Sequence, residues 1–442
     1  MTQQLDAVTP SPELVRKSAP DTKTLTVGIV GLGYVGLPTA IAFAAGGAHV
    51  VGVDVSAQRL DAIRTLRVDI SPCDLDQLRQ IFQTNELTLT DDIGLLGSVD
   101  AIVICVPTPV DDHLTPDLAA LAAACRGVCS VARPGQLIVL TSTSYVGTTE
   151  DLLVKPLTAR GLLVGVDVFV AFSPERIDPG NLAFTHDSVP RVVGGTTSEC
   201  ALRAADLLRH TTKQVHIVSS TKAAELTKLY ENTFRAVNIA LVNEIADVSN
   251  ELSVLITEVI DAAATKPYGF MPFSPGPGVG GHCIPCDPHY LLWQLRRQRV
   301  AMPLVESAMR GIAERPARVV ARVREELADH GIALRGAHVA IVGVAYKPGV
   351  EDVRESPALE IIKRLMDLGV EVSYVDPFVP AVTIDGQRLT AMTAPELLLR
   401  RSVDLAVLHT RHPQLTLDWL DSVPIVLDAT YRAVDLDHRV LV

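Results

Sequence analysis

The alternation of apolar and polar positions along the chain begins to specify structure at residue 25. The segment TLTVGIVGLGYVGLPTAIAFAAGGAHVVGVDV reads as a buried strand over residues 25–30, a glycine turn, an alanine-rich helix and a second strand ending in Asp54. That is a βαβ unit. Apolar strand-like runs follow at VDAIVICVP, GQLIVLTST and VDVFVAFSP, each separated by a helical pattern. Apolar strands alternating with helices imply a parallel sheet covered on both faces. From Ser219 to about Ala264 the pattern becomes one amphipathic run with no glycine or proline. A helix of that length can link two domains and offer a dimer surface. Helical stretches resume at Tyr290 and run into RVVARVREELADHG. HVAIVGVAYKPGVEDVRESPALEIIKRLMDLGVEVSYVDP then repeats the order of strand, turn, helix, strand and aspartate.

The expected fold is therefore α/β, with two Rossmann-like, doubly wound parallel-sheet domains joined by a long central helix. The expected division is a disordered tail at 1–23, an N-terminal domain at 24–215, a central helical region at 216–325 and a C-terminal domain at 326–442. In the second copy the turn is about ten residues longer, and AYKPGVEDVRES stands where the first copy has glycines. Only the first copy keeps the geometry that lies close against a pyrophosphate.

Gly31, Gly33 and Gly36 form GLGYVG between a strand and a helix. The first glycine permits the tight turn, the second lets backbone approach pyrophosphate, and the third allows helix and strand to pack closely. Tyr34 and Val35 complete the turn against the ligand. Asp54 ends the second strand, where a carboxylate accepts the ribose hydroxyls of NAD and repels the extra phosphate of NADP, so NAD is the expected cofactor. Arg59 would reverse that preference only by meeting a 2′-phosphate. Thr108 and Thr143 stand at later strand ends, placed either to meet the cofactor or to cap the helices that follow.

The 442 residues are 48% hydrophobic, enough for two or three buried cores. A formal net charge of -12 argues against attraction to nucleic acid or an anionic membrane, while leaving room for a small anionic ligand. No uncharged apolar segment is long enough to span a bilayer, and the polar, proline-bearing residues 1–23 have no apolar signal core, so a cytoplasmic location is expected. Seven cysteines, mostly far apart, are no disulfide framework.

Two of them lie in GPGVGGHCIPCDPHYLL, residues 276–292. The glycines leave this loop free to lie flat against a ligand, and the prolines stiffen it. A zinc site drawn from Cys283, Cys286, His282, His289 and Asp287 would crowd its ligands into a few residues with no second CxxC, so no metal is expected. A thioredoxin-type pair would sit at a helix start after the first strand of its domain, which this one does not.

From about Thr26 onward the chain resembles the UDP-glucose/GDP-mannose dehydrogenase family, through GLGYVGLP, VPTP, TSTS, SPERIDPGN, KLYENTFRAVNIALVNE, GPGVGGHCIPCDP and AYKPGVEDVRESPALE, in that order. The resemblance implies oxidation of the C6 hydroxymethyl group of a nucleotide-bound sugar to a carboxylate, by two hydride transfers to NAD with a cysteine as covalent catalyst. Cys283 matches that nucleophile. A thiolate suits the chemistry because an aldehyde has no second hydride to give until something adds to its carbonyl. Lys228 and Asn232, at i and i+4 on the long helix, match the family's lysine and asparagine and would stabilise oxyanions; without the resemblance the pair reads as a solvated helix face.

By the same resemblance Asp287 and Glu175 match family carboxylates, either suited to activate water. Thr143 joins the catalytic set. Arg176 and Lys347 are suited to hold an anionic substrate, with Glu175, Gly280, Lys228 and Asn232 also on its side of the cleft. Arg354 matches an arginine that reaches the cofactor from the C-terminal domain. Cys286, where the glucose-oxidising branch carries a lysine, together with His282 and SPERIDPGN, points to the branch acting on UDP-N-acetylhexosamines, which makes acidic amino-sugar precursors for surface polysaccharides. UDP-glucose and a thymidine-linked sugar remain alternatives. Two other classes stay in view: a non-catalytic NAD or nucleotide-sugar sensor, and a one-step hydroxyacid dehydrogenase. The long helix predicts a homodimer.

Overall fold

In the computed structural model, residues 24–111, 113–176, 187–281, 283–400, 402–433 and 439–442 are described. The tail 1–23, His282 and residues 177–181 of SPERIDPGN lie outside them.

The first sheet has eight strands: β1 (Thr26–Val30), β2 (His49–Val53), β3 (Leu87–Thr90), β4 (Ala101–Ile104), β5 (Leu137–Leu140), β6 (Phe169–Phe172), β7 (Arg191–Gly195) and β8 (Val215–Val218), in the order β3-β2-β1-β4-β5-β6-β7-β8. The order reverses between β1 and β4, the place where dinucleotides bind in such sheets. Alternate residues of one strand enter opposite cores: Val27 and Ile29 join the cluster around Phe43, whereas Val30 joins the one around Ile102 and Phe172. Both faces are thus covered.

The sheet is mixed where a parallel one is expected. β7 runs antiparallel to β6, with Ala171 opposite Gly195 and Phe172 opposite Gly194, and β8 runs parallel to β7. All five β7 residues are buried, and a continuous apolar run reports burial on both faces, not strand direction.

The second sheet is parallel throughout: β9 (His338–Val342), β10 (Glu371–Val375), β13 (Leu405–Leu408), β14 (Val426–Asp428) and β15 (Arg439–Leu441), ordered β10-β9-β13-β14-β15. A hairpin, β11 (Ala381–Ile384) and β12 (Gln387–Thr390), stands apart from it. Here the reversal falls between β9 and β13.

The central helix, Thr221–Glu251, starts where the Ser220 hydroxyl accepts from the Ala223 N–H, and it packs along the helix Pro303–Asp329. It stops thirteen residues short of the expected end. The Val254 N–H donates to the Ser249 carbonyl and the Ser253 N–H to the Asn250 carbonyl, with Ser253 at φ +54°. That is a Schellman closure with serine in the left-handed place usually held by glycine. A second helix, Ile256–Ala264, follows and buries Ile256 in the C-terminal core with Val319 and Val323. Tertiary burial thus overrides a pattern that contains no local breaker. Among the described residues no helix is long and apolar enough to cross a membrane.

Candidate active site

At the β1 turn, Gly31 has φ +86° and its N–H donates to the Val53 carbonyl over 2.8 Å. A Cβ on Gly36 would sit 1.7 Å from the Gly31 oxygen, so only glycine fits there; a Cβ on Gly33 would meet nothing within 4 Å, leaving the backbone open to a ligand. Asp54 Oδ2 accepts from the Leu32 N–H at 2.8 Å and Oδ1 from the Ser56 N–H at 2.9 Å, fixing the carboxylate at the end of β2. Arg59 Nε donates to the Leu32 carbonyl at 2.7 Å, which ties this side chain to the turn. The open backbone, the helix start and the acid fit a dinucleotide with an unphosphorylated ribose.

Arg354 comes from the C-terminal domain. Its guanidinium lies 4.2 Å from the Tyr34 ring centroid while gripping Asp352 through Nε and Nη2. The second domain thus stacks a cation on the first domain's glycine turn. Val35 is the residue before the helix Gly36–Ala45. Neither Thr108 nor Thr143 caps a helix, because the helices after them take Leu118 and Thr149 at their N-caps. The Thr108 carbonyl accepts from the Tyr290 hydroxyl at 3.0 Å, and Thr143 is half-buried at the end of β5.

Between the domains lies a cavity of about 1290 Å³. Lys228 and Asn232 line it from the central helix, Gly280 and Cys283 from the thiol loop, Arg176 from beyond β6 and Lys347 from beyond β9. Arg235, Arg411 and Arg432, which the sequence reading did not single out, bring its lining cations to six among the described residues, against one acid, Glu231. Arg176 bridges to that acid at 2.6 Å. A cavity this cationic in a chain of net charge -12 selects an anionic ligand.

The thiol loop is pressed against the C-terminal domain. A Cβ on Gly280 would lie 2.6 Å from Tyr346 Cβ, and the Gly281 N–H donates to the Arg354 carbonyl at 2.9 Å. Its two cysteines differ in environment. Cys283 is exposed and lines the cavity. Cys286 is buried, and desolvation, then the Asp287 charge, push its thiol up to about 12, so at neutral pH it is a packed thiol rather than a nucleophile.

Asp287 opens the helix Asp287–Arg296 and is 4% exposed. It accepts from Asn232 Nδ2 at 2.5 Å, and its own N–H donates to the Cys283 carbonyl at 2.8 Å. Burial raises its pKa to about 6, against the opposing pull of the Lys228 charge and the Asn232 bond.

Glu175 is buried and stands apart from the cavity lining. Its Oε1 meets Arg191 Nη1 at 2.5 Å and accepts from the Arg176 N–H at 2.8 Å. Arg191 was not anticipated, since a charged first residue of an apolar strand carries no motif. Glu225 was also missed: its buried carboxylate accepts from the N–H groups of Gly147 and Thr149, holding the turn after TSTS to the central helix. Among the described residues no group of three or more His, Cys, Asp or Glu is placed to hold a metal ion.

Fold and site together define a two-domain NAD-dependent dehydrogenase with a thiol at the domain junction. Residues 25–212, 222–311 and 340–435 match, in turn, the NAD binding, central and UDP binding domains of the UDP-glucose/GDP-mannose dehydrogenase family. The chain belongs to that family, and it is an NAD-dependent nucleotide-sugar dehydrogenase. It is 35% identical over 399 residues to the UDP-N-acetyl-D-mannosamine dehydrogenase of Pyrococcus horikoshii, covering 89% of this chain and 91% of the relative. It is 35% identical to the UDP-N-acetyl-D-glucosamine 6-dehydrogenase of Pseudomonas aeruginosa, covering 81% and 84%. A solved structure of the Pyrococcus horikoshii UDP-D-ManNAc dehydrogenase superposes with a TM-score of 0.85 at 32% identity over 94% of this chain and 98% of that one.

Because Asp287 keeps its proton in the folded protein to about pH 6 but loses it near 3.8 when unfolded, the folded state binds more protons between these values. Its contribution to stability must therefore fall as pH rises from 4 to 6. In urea unfolding, the stability of Asp287→Asn relative to the parent is expected to climb across that interval and level off above it. A pH-independent difference would contradict the burial assigned to this carboxyl.

Proposed function

We propose that the protein oxidises the C6 hydroxymethyl group of a UDP-N-acetylhexosamine, the glucosamine or mannosamine sugar favoured, to the uronic acid. The observation that carries this reading is one cavity that presents the exposed Cys283 thiol together with six cationic side chains. The names of the two relatives, both acting on UDP-N-acetylhexosamines, support the choice of sugar. UDP-glucose is the alternative, since a UDP-glucose dehydrogenase from Pyrobaculum islandicum also superposes, with a TM-score of 0.81 at 27% identity over 94% of this chain and 97% of that one.

In this reading Gly31, Gly33, Tyr34, Val35, Gly36, Asp54, Thr108, Thr143 and Arg354 hold NAD, with Arg59 bracing the turn. NAD supplies a hydride acceptor for each of two successive oxidations. Lys347 holds the nucleotide and Arg176 the sugar side, with Gly280 as the close-packed floor. The first oxidation removes a hydride from C6 and a proton from its hydroxyl, leaving an aldehyde. The Cys283 sulfur gives up its proton and adds to that carbonyl, Lys228 and Asn232 donate to the oxygen as it gains charge, and one proton passes to that oxygen to complete the thiohemiacetal. The thiohemiacetal gives up the second hydride and its hydroxyl proton, leaving a thioester. Water then adds, the C–S bond breaks, and the acid and the thiol are released. Asp287, whose pKa near 6 suits proton transfer at neutral pH, is the base we favour for that water. Glu175, held by Arg191, acts through Arg176 and the sugar side in this scheme.

The central helix exposes Leu226, Tyr230, Leu241, Ile245 and Val248, a stripe whose members stand three, four or eleven residues apart. Such a stripe fits a homodimer formed helix against helix. A cytoplasmic location fits seven cysteines that form no disulfide with one another.

With NAD and a panel of UDP-sugars, two NADH are expected per sugar oxidised, fastest for an N-acetylhexosamine, and Cys283→Ser should make no uronic acid. One NADH per sugar, or uronate from the variant at the parent rate, would overturn the covalent scheme. Light scattering at micromolar concentration should give twice the chain mass, and Ile245→Asp should reduce it to one chain mass; a parent protein already at one chain mass would contradict the dimer.

A further inference from the structure

His409 follows β13, on the switch-point side of the second sheet. It lines the cavity beside Lys347, Thr410, Arg411 and Arg432, yet it is only 3% exposed. Its protonation pattern follows from its neighbours. The Thr410 hydroxyl donates to the Ala345 carbonyl at 2.7 Å, so toward the His409 Nδ1 atom, 2.9 Å away, it can only accept. Nδ1 therefore carries the hydrogen. Burial drives the ring's pKa down to about 4, against the smaller pulls of the Gly343 carbonyl and the Asp376 carboxylate and with the charge of His412 acting alongside burial. The imidazole is neutral at working pH, and Nε2 is a bare lone pair with no hydrogen-bond partner among the described residues. A buried acceptor left unmade costs free energy unless something fills it.

What fills it must donate. A phosphate oxygen would be repelled by the lone pair and has cations close by in Lys347, Arg411 and Arg432. A nucleoside offers donors of two kinds: ribose hydroxyls and the N–H of a pyrimidine ring. The phenyl rings that line the cavity, Phe234 and Phe273, belong to the central helix and the thiol-loop approach, 6.1 Å apart and edge to face. They offer the flat apolar surface a base prefers. The strand ends around His409 offer charge and hydroxyls, which suit the sugar next to the diphosphate. We propose that His409 Nε2 accepts a hydrogen bond from a ribose hydroxyl of the bound nucleotide, making His409 a residue that selects ribonucleotide over deoxyribonucleotide sugars.

The proposal rests on the nucleotide-sugar reading, and one titration series separates the two. UDP, 2′-deoxy-UDP, 3′-deoxy-UDP and N3-methyl-UDP are each titrated calorimetrically into the parent, His409→Leu and His409→Gln, the last of which restores an acceptor near the Nε2 position. The parent is expected to bind one of the deoxy ligands about tenfold more weakly than UDP, the size of one lost hydrogen bond. The leucine variant should bind that ligand and UDP alike, and glutamine should recover part of the difference. Unchanged discrimination in the leucine variant, or none in the parent, overturns the assignment. A penalty confined to N3-methyl-UDP and abolished by the leucine variant also overturns it, moving the contact to the base. A parent that binds no UDP at all would instead overturn the nucleotide-sugar reading.

Discussion

The hydrogen bond from Asn232 to Asp287 fixes where the chemistry can happen. It joins the middle of the central helix to the first residue of the helix after the thiol loop, and Asp287 in turn holds the Cys283 carbonyl. Lys228, one turn before Asn232, is thereby set beside the same carboxyl. The far end of the loop is pinned as firmly. The Gly276 N–H donates to Asn243 Oδ1 at 2.9 Å, while its carbonyl accepts from Arg315 Nε at 3.0 Å. Arg315 is 2% exposed, bonds Asp247 at 2.5 Å and reaches the Tyr431 hydroxyl at 3.0 Å. One buried guanidinium thus connects the loop, the central helix and the C-terminal domain, and removing it would leave Asp247 without its buried partner.

The two sheets apply one plan to different ends. In the first, the N–H after Gly31 meets Asp54; in the second, the N–H after Gly343 meets Asp376 at 2.7 Å. Both glycines have positive φ, and both donate their own N–H to the last residue of the neighbouring strand. The copies diverge next. The first enters its helix at Gly36, close enough to aim N–H groups at a pyrophosphate, whereas the second does not begin its helix until Pro357. Asp376 is 7% exposed, with its oxygens taken by backbone N–H groups and by His412 Nε2 at 3.2 Å, so it has little left for a ribose. The second sheet meets its ligand instead through the side chains that follow β9 and β13.

Much of this was legible because it follows from local spacing. The glycine turn is dictated by steric limits at Gly31 and Gly36, and the i, i+4 spacing of Lys228 and Asn232 needs only a helix to put both on one face. The resemblance singled out Cys283, but the difference in burial between it and Cys286 was not legible: three residues apart in a glycine-rich loop, they separate only when folding buries one and opens the other to the cavity. Nor were Arg315, Glu225, Arg191 and His409 visible, because each matters through a partner far away in sequence. The reversal of β7 and the Schellman stop at Ser253 belong to the same class, decided by what packs against the segment and not by its own residues.

The central claim is that the sulfur of Cys283 carries the substrate between the two oxidations. Rapid acid quench of the enzyme during turnover with NAD and its UDP-sugar, followed by peptide mass spectrometry, tests it directly. The account predicts a transient adduct of the sugar nucleotide on the peptide containing Cys283, absent from Cys283→Ser and formed as before in Cys286→Ser. An adduct on Cys286, or full turnover with no adduct at any quench time in an Asp287→Asn variant slowed enough to accumulate it, would contradict it.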